Sequence, residues 1–335
     1  MFRLGILEGV AGTLQTAQPD AAEYAAATDG AGMIDRSERG KLALSGPEAV
    51  AFLDSVVSND IAAIAPGSGA DATLLTHKGR MLAELRVLRT EDELLLDSER
   101  IALQALFDAL RQFAIGYQAE LHKRTLETGL VSLLGRGVDA ILEQPPPAEE
   151  HTHVLGAFAA VPVRAVRTRL GIDLLFESGE HQHVCAALEA AGVLPLSPAT
   201  TECVRIEAGI PRFGIELDET TMPQEAGIHE RAVSYSKGCY IGQETVARLY
   251  WKGKPNRELR GLRLSEPVEP GTALRQGERE VGALGSVTVS PRLGVIGLAL
   301  VRREAEVGDI LAAGDGGAAA TVVALPFGHD ADEGR

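Results

Sequence analysis

A change of pattern at Pro255 constrains the fold more than any other feature of this sequence. Beyond it, short β-branched and apolar runs separated by glycine occur at residues 259–264, 281–289, 295–301 and 319–325. Short strands spaced by turns are typical of a small barrel or roll. The sequence therefore predicts an all-β domain at the C-terminal end, over residues 255–330.

Before Pro255, strand and helix patterns alternate. Residues 72–77 and 81–89 flank Lys78-Gly79-Arg80, a short glycine-containing turn that predicts a β-hairpin. Apolar residues at helical spacing predict helices at 47–57, 101–115 and 181–191. A chain of 335 residues exceeds the usual size of one domain. We expect an α+β protein with domains over residues 1–120, 121–254 and 255–330.

The composition limits which binding partners and which cellular compartment we expect. The 47 acidic and 32 basic residues give a net charge of -15, which disfavours direct binding to nucleic acid. The three cysteines, Cys185, Cys203 and Cys239, form no Cys-x-x-Cys pair and are too scattered for a disulfide framework. Neither residues 1–5 nor any later stretch predicts a leader or a membrane span. We expect a cytoplasmic protein without a membrane partner.

One cysteine lies in a setting that favours chemistry. Cys239 follows Lys237 and Gly238 and precedes a helical pattern that begins near Gly242. A helix N-terminus and a nearby ammonium both favour the thiolate, which is the nucleophilic and metal-binding form of cysteine. The alternative is a small packed residue, since free cysteine is among the most buried residue types. Packing is our interpretation for Cys185 and Cys203.

The eight residues from Lys237 to Glu244, Lys-Gly-Cys-Tyr-Ile-Gly-Gln-Glu, resemble the signature of the YgfZ family of folate-binding proteins. The resemblance continues through 205–214, 222–226 and 253–257. It implies a role in iron–sulfur cluster assembly or repair, with carrier or client proteins as partners and Cys239 as a ligand of a shared, transient cluster. The active positions that it implies are Lys237, Cys239, Tyr240, Gly242, Gln243 and Glu244.

Most of the chain also resembles the larger superfamily headed by the aminomethyltransferase (T-protein) of glycine cleavage, for example at 44–50 and 324–327. This resemblance implies three domains around a central folate cavity, ending in a β-barrel, with tetrahydrofolate as the cofactor. The folate contacts that it implies are Asp173, Glu84, Arg205 and Gln224.

Two of these implied folate contacts also have a purely structural interpretation. Asp173 matches the family carboxylate that anchors the pterin, because a carboxylate can accept two hydrogen bonds from the pterin edge; it could equally be an exposed residue of an edge strand. Arg205 could form a structural ion pair with Glu207. Where T-proteins carry two aspartates, this chain has Ala83 and Glu84, which puts aminomethyl transfer in doubt because that step depends on geometry.

Basic residues cluster at 248–263 on an otherwise acidic protein. They could hold the polyglutamate tail of a folate, an acidic partner or RNA, or form a solvated face. The His-x-His pairs at 151/153 and 181/183 lack an acidic or cysteine complement nearby and are interpreted as surface residues.

Two functional classes follow. The first is a tetrahydrofolate-binding accessory protein for iron–sulfur assembly or repair, which supports tRNA-modifying enzymes indirectly. In it, Cys239 either ligates a transient cluster shared with a partner or performs thiol chemistry. The second is an aminomethyltransferase-like enzyme of one-carbon metabolism. The signature at 237–244 favours the first class.

Overall fold

The computed structural model describes residues 18–328, so residues 1–5, on which the expected compartment rests in part, lie outside it. The α-helices are α1 (Ala21–Thr28), α2 (Ala49–Val56), α3 (Leu103–Phe113), α4 (His181–Ala190), α5 (Pro198–Glu207), α6 (His229–Ala232) and α7 (Gln243–Lys252). The strands as far as α4 are β1 (Gly32–Asp35), β2 (Gly40–Ser45), β3 (Ser68–Leu75), β4 (Met81–Arg89), β5 (Glu93–Ser98), β6 (Glu120–Lys123), β7 (Thr128–Leu134), β8 (His153–Phe158), β9 (Val161–Thr168) and β10 (Gly171–Glu177). The later strands are β11 (Leu194–Pro195), β12 (Arg257–Leu264), β13 (Ala273–Gln276), β14 (Arg279–Ser290), β15 (Gly294–Arg302), β16 (Ile310–Ala313) and β17 (Ala318–Val323).

The first sheet has the strand order β3-β4-β5-β2-β6. The hairpin expected from the sequence is confirmed, since β3 pairs with β4 in antiparallel register. Along β4 the side chains alternate between the two faces, as the pleat requires. Ala83, Leu85 and Val87 are packed in the core against α2 and α3, whereas Glu84 and Arg86 lie on the opposite face.

The second sheet has the strand order β11-β1-β7-β10-β9-β8. On β10, Ile172 and Leu174 pack in a core that includes residues of α4, which leaves Asp173 and Leu175 on the other face. That face meets the polar face of the first sheet through a small apolar cluster, which comprises Leu88, Leu130, Val166 and Leu175. The two sheets are therefore stacked, and alternate residues of β4 and β10 point toward each other.

The C-terminal domain is a closed barrel of six strands in the order β12-β15-β14-β13-β16-β17. This confirms the all-β prediction and the α+β architecture as a whole. Helix α5 joins the barrel to the sheets, because its Ile206 packs against Ile296 and Leu298 of the barrel while its Val204 packs against Leu134 of the second sheet.

The segments that build the first sheet with its core and the second sheet with its core alternate along the chain. The expected domain boundaries, 1–120 and 121–254, are contiguous and do not describe these two units. Strand β1 belongs to the second sheet, where it pairs with β7 and β11. Conversely, Phe213, Tyr240 and Val246 pack in the core of the first sheet. The reason is that each sheet completes its apolar cover with a segment that is remote in sequence.

Charged side chains bridge the two stacked sheets. Arg86 on β4 donates from Nε to Oδ2 of Asp97 at 2.6 Å and lies with Nη1 2.7 Å from Oδ2 of Asp173 on β10. Arg39, which precedes β2, donates from Nε to Oδ1 of Asp97 at 2.8 Å. Burial alone would raise the pKa of Asp97, but the charges of Arg39 and Arg86 outweigh it and hold that pKa well below its ordinary value.

Within residues 18–328, none of the helices combines the length and the apolar composition that a bilayer crossing requires.

We expect Asp97→Asn to lower the free energy of unfolding at pH 7 by about 3–5 kcal/mol, because removing one partner leaves buried charge uncompensated. The folded-state pKa of Asp97 is depressed, so its contribution is present above the unfolded value of about 3.9 and is lost as the pH falls below it. Urea denaturation at pH 7 and pH 3 measures both effects. The exposed Asp92→Asn variant is the control; equal stability of the two variants would contradict the assignment.

Candidate functional site

A central cavity of about 230 Å³ lies between the stacked sheets, next to α5 and α6. Its lining is dominated by charge. The arginines are Arg36, Arg39, Arg86, Arg169, Arg205, Arg212 and Arg231, and the carboxylates are Asp71, Glu84, Asp97, Glu99, Glu150 and Asp173. This volume lies below the range of about 300–1,000 Å³ that is usual for small-molecule pockets, so a larger ligand would place only one end inside.

Asp173 lies in the cavity wall, as the resemblance implies. Its strand β10 is hydrogen-bonded to β7 and β9 on its two sides, which excludes the edge-strand alternative. Oδ1 of Asp173 accepts a hydrogen bond from Oγ of Ser132 at 2.6 Å, and Oδ2 contacts Arg86. Asp173 is therefore also a structural residue, since Oδ1 is held within its own sheet and Oδ2 joins the two sheets.

Glu84 also lines the cavity and belongs to a group of linked charges. Its Oε1 accepts a hydrogen bond from Nη2 of Arg231 at 2.7 Å, and Arg231 donates from Nη1 to Asp71. Burial raises the pKa of Glu84, while Arg231 opposes that shift. Glu84 thus offers the cavity a carboxyl group whose pKa lies above that of an exposed glutamate.

Arg205 lines the cavity as well, but its main contacts are structural. It forms ion pairs with Glu202 at 2.8 Å and Glu216 at 3.3 Å and donates to Ser286 of the barrel at 2.6 Å. Arg205 therefore pairs with Glu202 and Glu216 in place of Glu207, the partner considered from the sequence. Gln224 is not among the cavity residues; its Nε2 donates to the carbonyl of Val246 at 3.0 Å and supports α7 instead.

Of the two histidines in the pair 151/153, which the sequence placed at the surface, one is buried and the other is largely covered. His153 is 5% exposed, and burial with the neighbouring Arg164 lowers its pKa to about 4. His151 lines the cavity, with its Nε2 3.3 Å from Oδ2 of Asp71. The surface interpretation was wrong because the segment after Pro147 runs over β3 rather than through solvent: the amide of His153 donates to the carbonyl of Gly67.

Asp71, Glu150 and His151 have ligand atoms within 4.8 Å of one another, a spacing compatible with a metal ion. Arg231 already contacts Asp71. A second cation would meet that positive charge, so we assign no metal to this group.

The signature segment 237–244 lies outside the cavity lining. Cys239 is exposed, whereas the ammonium of Lys237 is directed onto the end of α2 and the loop that follows. There it contacts Oδ1 of Asp54 at 3.1 Å and the carbonyl of Asn59 at 2.7 Å. The expectation that the charge of Lys237 activates Cys239 therefore loses its basis. Lys237 anchors the loop instead.

The remaining signature residues shape the loop that leads into α7. Gly242 adopts a left-handed φ of 82°, and a Cβ at this position would lie 2.5 Å from the carbonyl oxygen of Thr76. Tyr240 is 7% exposed and packs in the core of the first sheet. Gln243 donates weakly to the carbonyl of Gly238 at 3.5 Å, and Glu244 is exposed.

Comparisons with known proteins identify the family to which this architecture belongs. Residues 13–237 match the model of the GCVT N-terminal domain, and residues 257–328 match that of the glycine cleavage T-protein C-terminal barrel domain. The chain belongs to the glycine cleavage T-protein family. The charged cavity lies within the first of these matches, since all of its lining residues fall between Ile34 and Arg231.

Individual relatives match most of this chain and most of their own length. An aminomethyltransferase of Shouchella clausii is 30% identical over 304 residues, covering 84% of this chain and 82% of the relative. One of Mycobacterium tuberculosis is 30% identical over 301 residues, with 86% and 82% covered. The solved structure of the glycine cleavage system aminomethyltransferase T of Bartonella henselae has a TM-score of 0.82 at 22% identity, with 96% of each chain covered; it shows the shared fold.

We expect Cys239 to be the first thiol alkylated in the native protein. Cys203 is 0% exposed, and burial raises its pKa to about 12; burial also raises the pKa of the half-buried Cys185. The raised pKa values leave little reactive thiolate at Cys185 and Cys203, and burial limits the access of the reagent to both thiols. Iodoacetamide labelling followed by peptide mass spectrometry measures the order. Cys239→Ser should remove the fast phase, and Cys185→Ser should retain it; faster reaction at either other cysteine would be the opposite result.

Proposed function

We propose that this protein binds a reduced folate, tetrahydrofolate or a derivative, in the central cavity and acts as an accessory protein of iron–sulfur cluster assembly or repair. The observation that carries the folate assignment is the cavity itself, with carboxylates from both sheets in a T-protein frame. A pterin presents a row of N–H donors that carboxylates accept. The small cavity volume suits the pterin head, with the glutamate end of the folate outside.

The acceptors and the donor available at the cavity fit both ends of a folate. Glu84 and Asp173 lie inside, where the pterin would bind. Arg169 also lines the cavity but is exposed, and no carboxylate of the described residues lies within ion-pair distance of it. We assign Arg169 to a carboxylate of the folate glutamate, since arginine binds carboxylates through two parallel hydrogen bonds.

The iron–sulfur role rests on the signature segment and on the exposure of Cys239. A cluster commonly takes four thiolate ligands. Among the described residues, Cys239 is exposed while Cys185 and Cys203 are partly or wholly buried. One accessible thiol suits a cluster that is shared with a carrier or client protein, which supplies the other ligands. Support for tRNA-modifying enzymes would then be indirect, through their own clusters.

A second candidate function is aminomethyl transfer, which the curated relatives carry in their names. The observation in its favour is Glu84, a cavity carboxyl with a raised pKa. Against it, the first aspartate of the transferase pair is replaced by Ala83, which is 0% exposed in the core of the first sheet. Any transfer chemistry would have to rely on Glu84 alone.

We expect Arg169→Ala to weaken tetrahydrofolate binding by about tenfold or more, since a hydrogen bond to a charged group contributes about 1.5–3 kcal/mol. Arg169 is exposed, so the thermal midpoint should not change. Anaerobic calorimetry measures the affinity, with the exposed barrel variant Arg303→Ala as the control. Asp173→Ala should lose affinity and also stability, because Asp173 pairs with Arg86. Equal binding by wild type and Arg169→Ala would place the folate tail elsewhere.

The two candidate functions predict opposite results in a pair of assays. We expect no methylene-tetrahydrofolate formation when the protein replaces T-protein in a reconstituted glycine cleavage system. In a strain that lacks the protein, wild type should restore iron–sulfur enzyme activity and Cys239→Ser should not, although it accumulates normally. Transferase activity that Glu84→Ala abolishes, together with full rescue by Cys239→Ser, would reverse the ranking.

A further inference from the structure

His151 combines two features that a surface or packing histidine does not need. Its backbone is left-handed, with φ of 68°, a region that costs energy for any residue with a Cβ. Its side chain is only 12% exposed, and its Nδ1 is buried without a hydrogen-bond partner among the described residues. Outliers of this kind persist only where the surrounding structure enforces them.

The structure around His151 does enforce its position. The amide of His151 donates to the carbonyl of Arg167 at 2.9 Å. Gly69 of β3 leaves room for the approach, because a Cβ at residue 69 would lie 3.1 Å from Cβ of His151 and 2.4 Å from the carbonyl oxygen of Val87. The imidazole is thereby held at the cavity, beside β3.

From this position a chain of contacts leads to Glu84. Nε2 of His151 lies 3.3 Å from Oδ2 of Asp71, Asp71 accepts from Nη1 of Arg231, and Arg231 donates from Nη2 to Glu84 at 2.7 Å. One guanidinium is thus shared between the carboxylate that faces His151 and the carboxyl of Glu84, which lines the cavity. A change of charge on the imidazole changes how strongly Asp71 competes for that guanidinium.

We propose that His151 is a positioning residue of the folate cavity, which sets the charge and orientation of Glu84 through Asp71 and Arg231. The role of Glu84 toward the ligand rests on the proposed function; the contact chain itself does not. Imidazole is the side chain whose unperturbed charge changes between about pH 5 and 8. The resulting effect is a proton-linked adjustment of the carboxyl that faces the folate.

The charges that act on His151 are few and come from every element packed against it. Asp71 lies on β3, Glu150 belongs to the same loop at 3.9 Å, and Arg231 lies on α6. Glu84 and Arg86 on β4 act through Asp71 and Arg231. Burial alone would raise the pKa of Asp71, but the hydrogen bond from His151 and the charge of Arg231 lower it, so Asp71 remains an ionised acceptor.

The test is a carbon-13 NMR titration of glutamate carboxyl groups in the ligand-free protein, with Glu84 assigned through Glu84→Gln. In wild type the Glu84 signal should show its own inflection and a second one that reports the change of charge on His151. His151→Asn should abolish the second inflection, since asparagine tolerates a left-handed backbone but carries no ionisable group. The variant of the partly exposed strand residue, His122→Asn, should keep it. Urea denaturation verifies that both variants fold.

A binding experiment connects this relay to the ligand. We expect the dissociation constant of tetrahydrofolate for wild type to change about fivefold between pH 5.5 and 7.5, at the low end of coupling between sites. His151→Asn should remove this pH dependence, and His151→Asn combined with Glu84→Gln should match Glu84→Gln alone. A second inflection that survives in His151→Asn, or additive effects of the two substitutions, would overturn the inference. If tetrahydrofolate does not bind but the NMR result holds, the proposed function fails and the relay stands.

Discussion

The ion pairs of Arg86 are the constraint on which the arrangement of this protein depends. Arg86 lies on the face of β4 that meets the second sheet, and it contacts Asp97 of its own sheet and Asp173 of the other. Stacked sheets usually meet through apolar side chains. Here only the cluster around Leu88 and Leu175 does so, and the charged remainder of the interface keeps a cavity open.

The same charges continue from the sheets to the barrel. Glu99 contacts both Arg39 and Arg212, and Arg212 contacts Glu202 on α5. Glu202 then pairs with Arg205, which reaches Ser286 in β14. A substitution at one of these positions can therefore change stability and ligand binding together, because the cavity wall and the domain contacts share the same side chains.

The sequence predicted the elements well and the site in part. The barrel, the β3–β4 hairpin and helices α2, α3 and α4 follow from local periodicity, and local periodicity reports burial directly. Which side chains of β4 and β10 line the cavity depends on how side chains alternate between the two faces of each strand. Local periodicity does not say which face borders a cavity, so Glu84 and Asp173 were assigned to it through the family resemblance. The role of Arg86 could not be predicted, since its partner Asp173 is far away in sequence.

Three residues show why the rest of the site could not be predicted. His151 looked exposed because its neighbours are polar, yet its loop crosses β3, and only 12% of its side chain remains exposed. Lys237 is two residues from Cys239 in sequence, but its long side chain reaches backbone carbonyls in the last turn of α2 and just after it. Gln224 belongs to the family pattern and serves α7. In each case tertiary contacts decided the outcome, and no short-range pattern reports them.

The interleaving of the first two units also bears on the order in which the chain can fold. Strand β1 must wait for β7 before it has a hydrogen-bonded neighbour from later in the chain, and the core of the first sheet is not covered until Tyr240 and Val246 have been synthesised. Contacts over such sequence distances slow folding, because the loop entropy is lost before the contacts form. Neither unit can therefore complete its fold on the ribosome before most of the other has emerged, whereas the strand pairings of the barrel all form within residues 257–323.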